Sequence, residues 1–388
     1  MTQIFISTFN CGKKPPIGGE FPKHISEKLP NDISSLYVFG FQEISSILES
    51  TNDNEINKKL IWISNNLLNC LEKKFKMKSF ELISINHFGS IGIIIISPFK
   101  SKISNIILSF GYPVGHFLTN LKGGIGVRIK FESVEFTFVC MHLNAGEKIE
   151  NLIRRNNDIY NILSKLKFDD GWCVLKPESH IFLFGDLNYR LTGTFGMFKS
   201  IVISNEGNNI EEIFEDLKND ELLIMMKNGT ILEDFEEAKI NFKPSYKYII
   251  GSGEYNKKRI PSYCDRILYL GYSEFSKLPK YEIIKYDSIP ECQISDHIPV
   301  YLIINVHSSP PERNINDLGY LIDRTTELNE FSKNYKLVST SNYILKLSYF
   351  TTYLMGLGLY LTITNKGRMI SFGILCIVYI LIKWNGIL

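Results

Sequence analysis

The chain has 388 residues, 44% of them hydrophobic and rich in Ile, Phe and Tyr, enough for a sizeable core in one large α/β layer structure with peripheral additions. A formal charge of +2 is too small to argue for a nucleic-acid or acidic partner, so any anion site must be local. Seven scattered cysteines, none spaced as CxxC, exclude a disulfide framework or a zinc site and point to a reducing compartment.

Residues 3–9 read as a first strand, ending at Phe9-Asn10-Cys11-Gly12 with no basic leader or long apolar segment before it. Residues 35–41 form a second buried strand that runs into Gln42-Glu43. Ile56, Leu60, Ile63, Leu67 and Leu71 recur at helical intervals and predict a helix over about 54–74. Strand-like runs follow at 80–86, 91–96 and 103–110. After Lys122-Gly123-Gly124, two more runs at 125–131 and 135–141 predict a hairpin across Glu132-Ser133-Val134, its second arm ending on His142-Leu143-Asn144. Ile149, Leu152, Ile153, Tyr160, Leu163 and Leu166 mark one face of a helix, with Arg154, Arg155 and Asp158 largely on the other.

The apolar run Ile181-Phe182-Leu183-Phe184 then delivers Gly185-Asp186-Leu187-Asn188-Tyr189-Arg190, a carboxylate, an amide and a guanidinium where a buried strand reaches the surface. On its own this stretch also reads as a turn, since Asp and Asn often bond their own backbone. Beyond it, 210–226 reads as an acidic-faced helix, 241–250 as an extended segment, and 256–269 as a basic loop entering a strand. A last pair of strands lies near 281–286 and 300–306, with Ser295-Asp296-His297 just before the second.

Polar residues therefore sit beside strand-like runs at Asn10, Glu43, His142, Asp186 with Asn188, Asp265, and Asp296 with His297. Carboxylates, amides and two histidines over a strand-rich chain are what metal-assisted phosphate ester hydrolysis requires. A hard divalent ion such as Mg²⁺ takes carboxylate and phosphate oxygens and keeps several waters, a role that suits Glu43. Asp186 is placed to orient and deprotonate a water, and Asn188 to donate to a phosphoryl oxygen. His297, kept cationic by a carboxylate such as Asp265, can stabilise phosphoryl charge, with His142 as a second donor.

These residues, with Thr8-Phe9-Asn10, Gly40-Phe41-Gln42-Glu43, Pro244 to Tyr248 and Arg259-Ile260-Pro261-Ser262-Tyr263-Cys264-Asp265-Arg266, make residues 1 to 306 resemble the inositol polyphosphate 5-phosphatases. The resemblance implies a four-layer α/β sandwich of the DNase I-like kind, Mg²⁺ dependence, and hydrolysis of the 5-phosphate on an inositol ring. By position it implies Glu43, Asn10 and Asp296 on the metal side and Asp186 with Asn188 as the water- and phosphate-positioning pair. It implies His297 with Asp265 as a histidine and its orienting carboxylate. Tyr246, Lys247, Lys257 and Arg259 match residues that grip the 4-phosphate of the ring. Phe9-Asn10-Cys11-Gly12, His142-Leu143-Asn144-Ala145-Gly146 and Tyr263 depart from the commoner family wording without removing a proposed catalytic group.

Three regions are expected: a catalytic domain over 1–307, a polar tether over 308–346, and a hydrophobic tail over 347–388. The tail holds two apolar stretches, 347–363 and 369–388. The second is the better span, long enough to cross a hydrocarbon core of roughly 30 Å. Lys366 and Arg368 favour a cytosolic upstream side. A short C-terminal span suits a thin bilayer, so the expected address is the endoplasmic reticulum membrane, with the mitochondrial outer membrane second. The whole resembles the tail-anchored reticulum members of the family, which act on phosphatidylinositol 4,5-bisphosphate. A nuclease or other phosphodiesterase on the same fold, and an inert membrane-tethered lipid-binding protein, are the rival readings. Protein partners are not readable from the sequence.

Overall fold

The computed structural model describes residues 1–77, 79–193, 216–232, 234–272, 281–309 and 342–384. Its first sheet is built from β1 (Thr2–Asn10), β2 (Leu36–Gln42), β3 (Glu81–Phe88), β4 (Ile91–Ser97), β12 (Glu282–Ser288) and β13 (Val300–Val306), in the order β12-β13-β1-β2-β4-β3. The second holds β5 (Ile103–Leu108), β6 (Tyr112–Pro113), β7 (Gly123–Phe131), β8 (Val134–His142), β9 (Ser179–Asp186), β10 (Phe235–Glu237) and β11 (Asp265–Leu270). Its order is β10-β11-β9-β8-β7-β5, with β6 paired to β7.

Both faces of the central strands are covered, which explains why they read as unbroken apolar runs rather than alternating ones. In β1, Ile4 and Ile6 enter the core between the sheets, while Phe5 and Phe9 point outward to a second core. That outer core is closed by helices α1 (Glu20–Lys28) and α2 (Asp53–Phe75), which contribute Phe21, Ile25, Ile56, Leu60, Ile63, Leu67 and Leu71. On the far side, α3 (Ile149–Lys165) and α4 (Glu221–Lys227) cover Val139, Leu183 and Leu268 of the second sheet. The layers are thus helix, sheet, sheet, helix, as expected for a DNase I-like sandwich. The sheets come close at Gly40, where an added Cβ would lie 2.3 Å from the Phe184 ring.

Several expectations shift. The strand foreseen over 103–110 stops at Leu108, interrupted by Asn105 in the left-handed region (φ 51°). The helix foreseen over 210–226 lies outside the described residues up to 215; the described part is α4, with Asp220 as N-cap accepting from Leu223 N. Residues 241–250 form no named strand and instead make isolated bridges, Tyr246 with Ser262 and with His297. On α3, Arg155 and Asp158 are buried while Ile149 and Ile153 are exposed. The polar side chains go inward because Glu221 and Asn144 wait for them: Arg155 Nη2 donates to Glu221 Oε2 at 2.6 Å, and Asn144 Nδ2 to Asp158 Oδ2 at 2.7 Å.

The largest correction is at the C-terminus. Among the described residues no helix is long and apolar enough to cross a membrane, so the expected transmembrane helix over 369–388 is not found. Residues 342–384 form helices α5 (Asn342–Ile363) and α6 (Asn365–Trp384). Thr, Gly and Tyr dilute the first, and the second opens on Asn365, Lys366 and Arg368. Helix α5 packs on the sandwich, with Ser348 and Thr352 fully buried and the Tyr349 ring edge-on to Phe88. The tether expected over 308–346 falls largely on 310–341, outside the described residues, and Asn342–Lys346 belong to α5.

Buried ion pairs tie the second sheet to its helices. Arg266 is fully buried and donates to Asp220 Oδ1 at 2.9 Å and Glu237 Oε1 at 2.8 Å. Arg266→Met should cost about 3–5 kcal/mol in urea unfolding, because two buried carboxylates lose their counter-ion. A loss below about 1 kcal/mol would show that water already solvates the pair.

Candidate active site

The site forms where strand ends from both sheets come level. In the first sheet β1 and β2 run parallel, pairing Asn10 with Gln42, so both chains leave at the same edge. In the second, β8 and β9 run parallel with His142 opposite Asp186, and antiparallel β11 begins with Asp265 opposite the same Asp186. The segment Ser295-Asp296-His297 precedes β13, the antiparallel neighbour of β1. Register alone therefore collects Asn10, Glu43, His142, Asp186, Asp265 and His297 at one rim.

Asp186 is the hub and is almost fully buried. Its Oδ2 accepts from Asn10 Nδ2 at 2.8 Å and faces His142 Nε2 at 3.1 Å and His297 Nε2 at 3.8 Å. Its Oδ1 accepts from the backbone N–H of Asn188 at 3.0 Å. Burial pushes the Asp186 carboxyl up, but His297, His142 and Lys122 outweigh it and hold the group far below the usual carboxylate range. Asn188 and Glu43 both sit at positive φ, 57° and 49°, a conformation that costs non-glycine residues energy and that functional sites often retain. Asn188 Nδ2 donates to Leu143 O at 3.1 Å, leaving its second amide hydrogen for a ligand, and its Oδ1 accepts from Arg190.

His297 is buried with Nδ1 at 2.9 Å from Asp265 Oδ2. Burial lowers the imidazole's proton affinity, yet the carboxylates of Asp265 and Asp186 reverse this and raise its pKa to about 9. Burial pushes Asp265 up as well, against the pull of His297. We place the shared proton on the imidazole, because Asp265 Oδ2 also accepts from Ser245 Oγ at 2.6 Å, a bond that favours the ionised carboxylate. His142 is the opposite case: burial first, then the neighbouring Lys122 charge, lower its pKa and keep it neutral.

Of the residues expected from sequence to hold a ring phosphate, Tyr246 and Lys247 touch the rim. The Tyr246 ring lies 4.5 Å from that of His297 and under the Arg190 guanidinium, also at 4.5 Å. Lys247 Nζ donates to Asp296 Oδ2 at 2.8 Å, and Arg259 pairs with Glu147 at 3.5 Å. Lys257 is exposed in the turn that leads to Arg259. Of the three residues expected on the metal side, Glu43 Oε1 lies 3.9 Å from His142 Nε2, Asn10 bonds to Asp186, and Asp296 is engaged by Lys247. Asp186, Asp265 and His297 bring ligand atoms within 4.8 Å of one another. A buried Asp265 Oδ1 without a partner among the described residues, and carboxylates at Glu43 and Asp186, make an oxygen-rich set that fits a hard divalent ion.

Sequence reasoning gave no role to Lys122 and Arg190, which the structure puts in the site. Lys122 Nζ contacts His142 Nε2, and Arg190 bonds to Asn188. Lys122 was within reach: counting outward from the β7–β8 turn pairs Gly123 with His142. Arg155 and Glu221 act from behind, since Glu221 Oε2 accepts from the backbone N–H of Arg190 at 2.9 Å as well as from Arg155.

The raised proton affinity of His297 makes stability depend on pH. Its contribution is fully present below the ordinary histidine pKa of about 6.5 and is lost as pH rises through about 9. In the metal-free protein the free energy of urea unfolding should fall by on the order of 1–3 kcal/mol across that window. Asp265→Asn should remove most of this dependence, and a pH-independent wild type would show that His297 is neutral.

Known proteins share the fold and fix the family. The model of endonuclease/exonuclease/phosphatase family 2 matches residues 7–303. Type IV inositol polyphosphate 5-phosphatase 9 of Arabidopsis thaliana is 28% identical over 347 residues, covering 80% of this chain and 79% of its own. Phosphatidylinositol 3,4,5-trisphosphate 5-phosphatase 2A of Danio rerio is 29% identical over 78% of this chain, which spans only 24% of that relative. The crystal structure of the inositol polyphosphate 5-phosphatase domain of SPsynaptojanin, in complex with inositol (1,4)-bisphosphate and calcium ion, superposes with a TM-score of 0.64 at 26% identity, covering 78% of this chain and 83% of that one. Cimex nitrophorin, at 18% identity and a TM-score of 0.56, covers 78% of this chain and 97% of its own and shares the fold alone. The chain belongs to endonuclease/exonuclease/phosphatase family 2, and its relatives there are inositol polyphosphate 5-phosphatases, which are phosphoric monoester hydrolases.

Proposed function

We propose that this protein is a Mg²⁺-dependent phosphoinositide 5-phosphatase that converts phosphatidylinositol 4,5-bisphosphate to phosphatidylinositol 4-phosphate and phosphate at a membrane. The observation that carries the reading is Asp186 held ionised among His297, His142 and Asn10, with Tyr246 and Lys247 on the same rim. A divalent ion held by Glu43 and its oxygen-donor neighbours would neutralise phosphate charge and lower the pKa of a bound water.

The chain's own groups supply the rest. Asp186 orients the attacking water as a hydrogen-bond acceptor. With its proton affinity held so low, it aims the water better than it retains a proton. The free amide hydrogen of Asn188 and the cationic His297 donate toward the phosphoryl oxygens, where negative charge must be stabilised. Tyr246, Lys247, Lys257 and Arg259 are assigned to the adjacent ring phosphate. Lys247 and Arg259 are already paired with Asp296 and Glu147, so a phosphate exchanges one anion for another rather than meeting bare cations.

The membrane part of the proposal now rests on attachment along a surface. Leu354, Met369, Phe372, Ile374 and Leu375 are exposed on α5 and α6. Residues 342–384 contain no Asp or Glu but carry Lys346, Lys366, Arg368 and Lys383. Exposed apolar side chains with basic flanks favour lying in an anionic interface. The cytosolic face of the endoplasmic reticulum, with the mitochondrial outer membrane second, remains the proposed address. Among the described residues six cysteines are free thiols.

Phosphate release from a panel of inositol lipids and soluble inositol phosphates, together with strand cleavage of single-stranded DNA, each with and without Mg²⁺, tests the assignment. Asp186→Asn should lower turnover by about 10³-fold or more with the fold intact, in line with loss of a group acting in the transition state. Unchanged turnover, or preferential DNA cleavage, would sink it. Lys247→Ala with Arg259→Ala should weaken selection for a 4-phosphate by about 10-fold or more while leaving ring substrates without that phosphate unaffected.

A further inference from the structure

We infer that helix α5 braces the loop that carries Lys122, so that Thr352 and Tyr349 are positioning residues for the catalytic centre. The effect on turnover rests on the phosphatase reading; the brace itself does not.

The loop leaves the second sheet after Pro113 and re-enters at Gly123. Its backbone makes few bonds of its own: Val114 N donates to Lys122 O at the neck, Leu118 N to Gly115 O and Thr119 N to His116 O close one tight turn, and Phe117 and Leu118 take left-handed conformations (φ 53° and 56°). Phe117 is 83% exposed, so this tip is not held by burial. Asn120, by contrast, is completely buried, and the buried partner of its backbone N–H is Thr352 Oγ1 on α5, at 2.9 Å. The Thr352 hydroxyl gives its own hydrogen to Ser348 O at 2.7 Å, which turns the oxygen lone pair toward Asn120.

Three further contacts keep α5 in place. Tyr349 OH donates to Asp53 Oδ1 at 2.9 Å at the start of α2. The Tyr349 ring meets Phe88 edge-on at 6.0 Å, and Phe88 backs Gly123, where an added Cβ would lie 3.0 Å from its ring. Gly356 lets the helix approach Leu48, whose backbone would lie 3.1 Å from a Cβ there. The Asn120 backbone is thus held by α5 while its side chain reaches Ser50 O at 3.4 Å, and two residues later Lys122 reaches His142. A loop with few bonds of its own opens at low cost unless something outside it supplies them. Here α5 supplies one at Asn120, two residues before the lysine that contacts His142.

The test uses the full chain and three variants. Thr352→Val keeps the shape and removes the acceptor, Thr352→Ser restores it, and Tyr353→Ser alters the exposed side of the same helix. Amide hydrogen exchange of residues 115–122 should quicken roughly 5–30-fold in Thr352→Val, the ratio for loss of a buried partner, and stay at wild type in the other two. With a soluble inositol polyphosphate, kcat should fall severalfold in Thr352→Val alone, with KM little changed. Wild-type exchange in Thr352→Val, or faster exchange spread over the whole domain, overturns the brace. Faster loop exchange with unchanged kcat overturns the positioning role. A wild type that hydrolyses no inositol phosphate would remove the phosphatase reading, while the exchange measurement still decides the brace.

Discussion

The hydrogen bond from Asn10 to Asp186 joins two sheets that share no backbone ladder. Asn10 closes a strand of the first sheet and Asp186 a strand of the second, so their 2.8 Å contact requires both sheets to end at the same height. The pair His297–Asp265 makes the same crossing in the same direction, donor on the first sheet and carboxylate on the second, at 2.9 Å. Each half of the sandwich thus brings groups that are incomplete without the other. Ser295 Oγ, which donates to Asn10 O at 2.7 Å, stitches the histidine segment back to the strand beside it.

Charge is handled by compensation. Asp186, Asp265 and Asp296 would repel one another, but His297, Lys122 and Lys247 are interleaved among them. Burial opposes every one of these charges, and near neighbours of opposite sign decide which groups stay ionised. The outcome is a carboxylate, an imidazolium and a neutral imidazole within a few ångströms. Arg190 extends the arrangement outward, bonded to Asn188 and stacked on Tyr246, with Glu221 holding its backbone.

Much of this was legible because double-sided burial writes long apolar runs, and the residues that end them are conspicuous. Asn10, Glu43, His142 and Asp186 all follow such runs, and Asp265 and His297 precede them. Arg155 and Asp158 were misread because a polar residue on an amphipathic helix normally faces water, and the partner that draws Arg155 inward, Glu221, lies 66 residues away. The C-terminal helices were misread for a related reason. Apolar composition is common to a membrane span and to a helix packed on protein, and nothing local to Thr352 announces that its hydroxyl meets Asn120. Lys122 lay between these cases, recoverable from hairpin register but without an apolar run to point at it.

Gly40 gives the sandwich a property that its strand order does not convey. With the Phe184 ring pressed against its backbone, the gap between the sheets is set by bulk inside the core, and the reacting groups straddle that gap. Core thickness therefore works as a calliper setting. A methyl group inserted far from solvent acts as a shim that parts the jaws, widening the distance between Glu43 on one and Asp186 on the other. Catalytic geometry in such a molecule can be detuned from its driest interior, by residues that never approach the substrate.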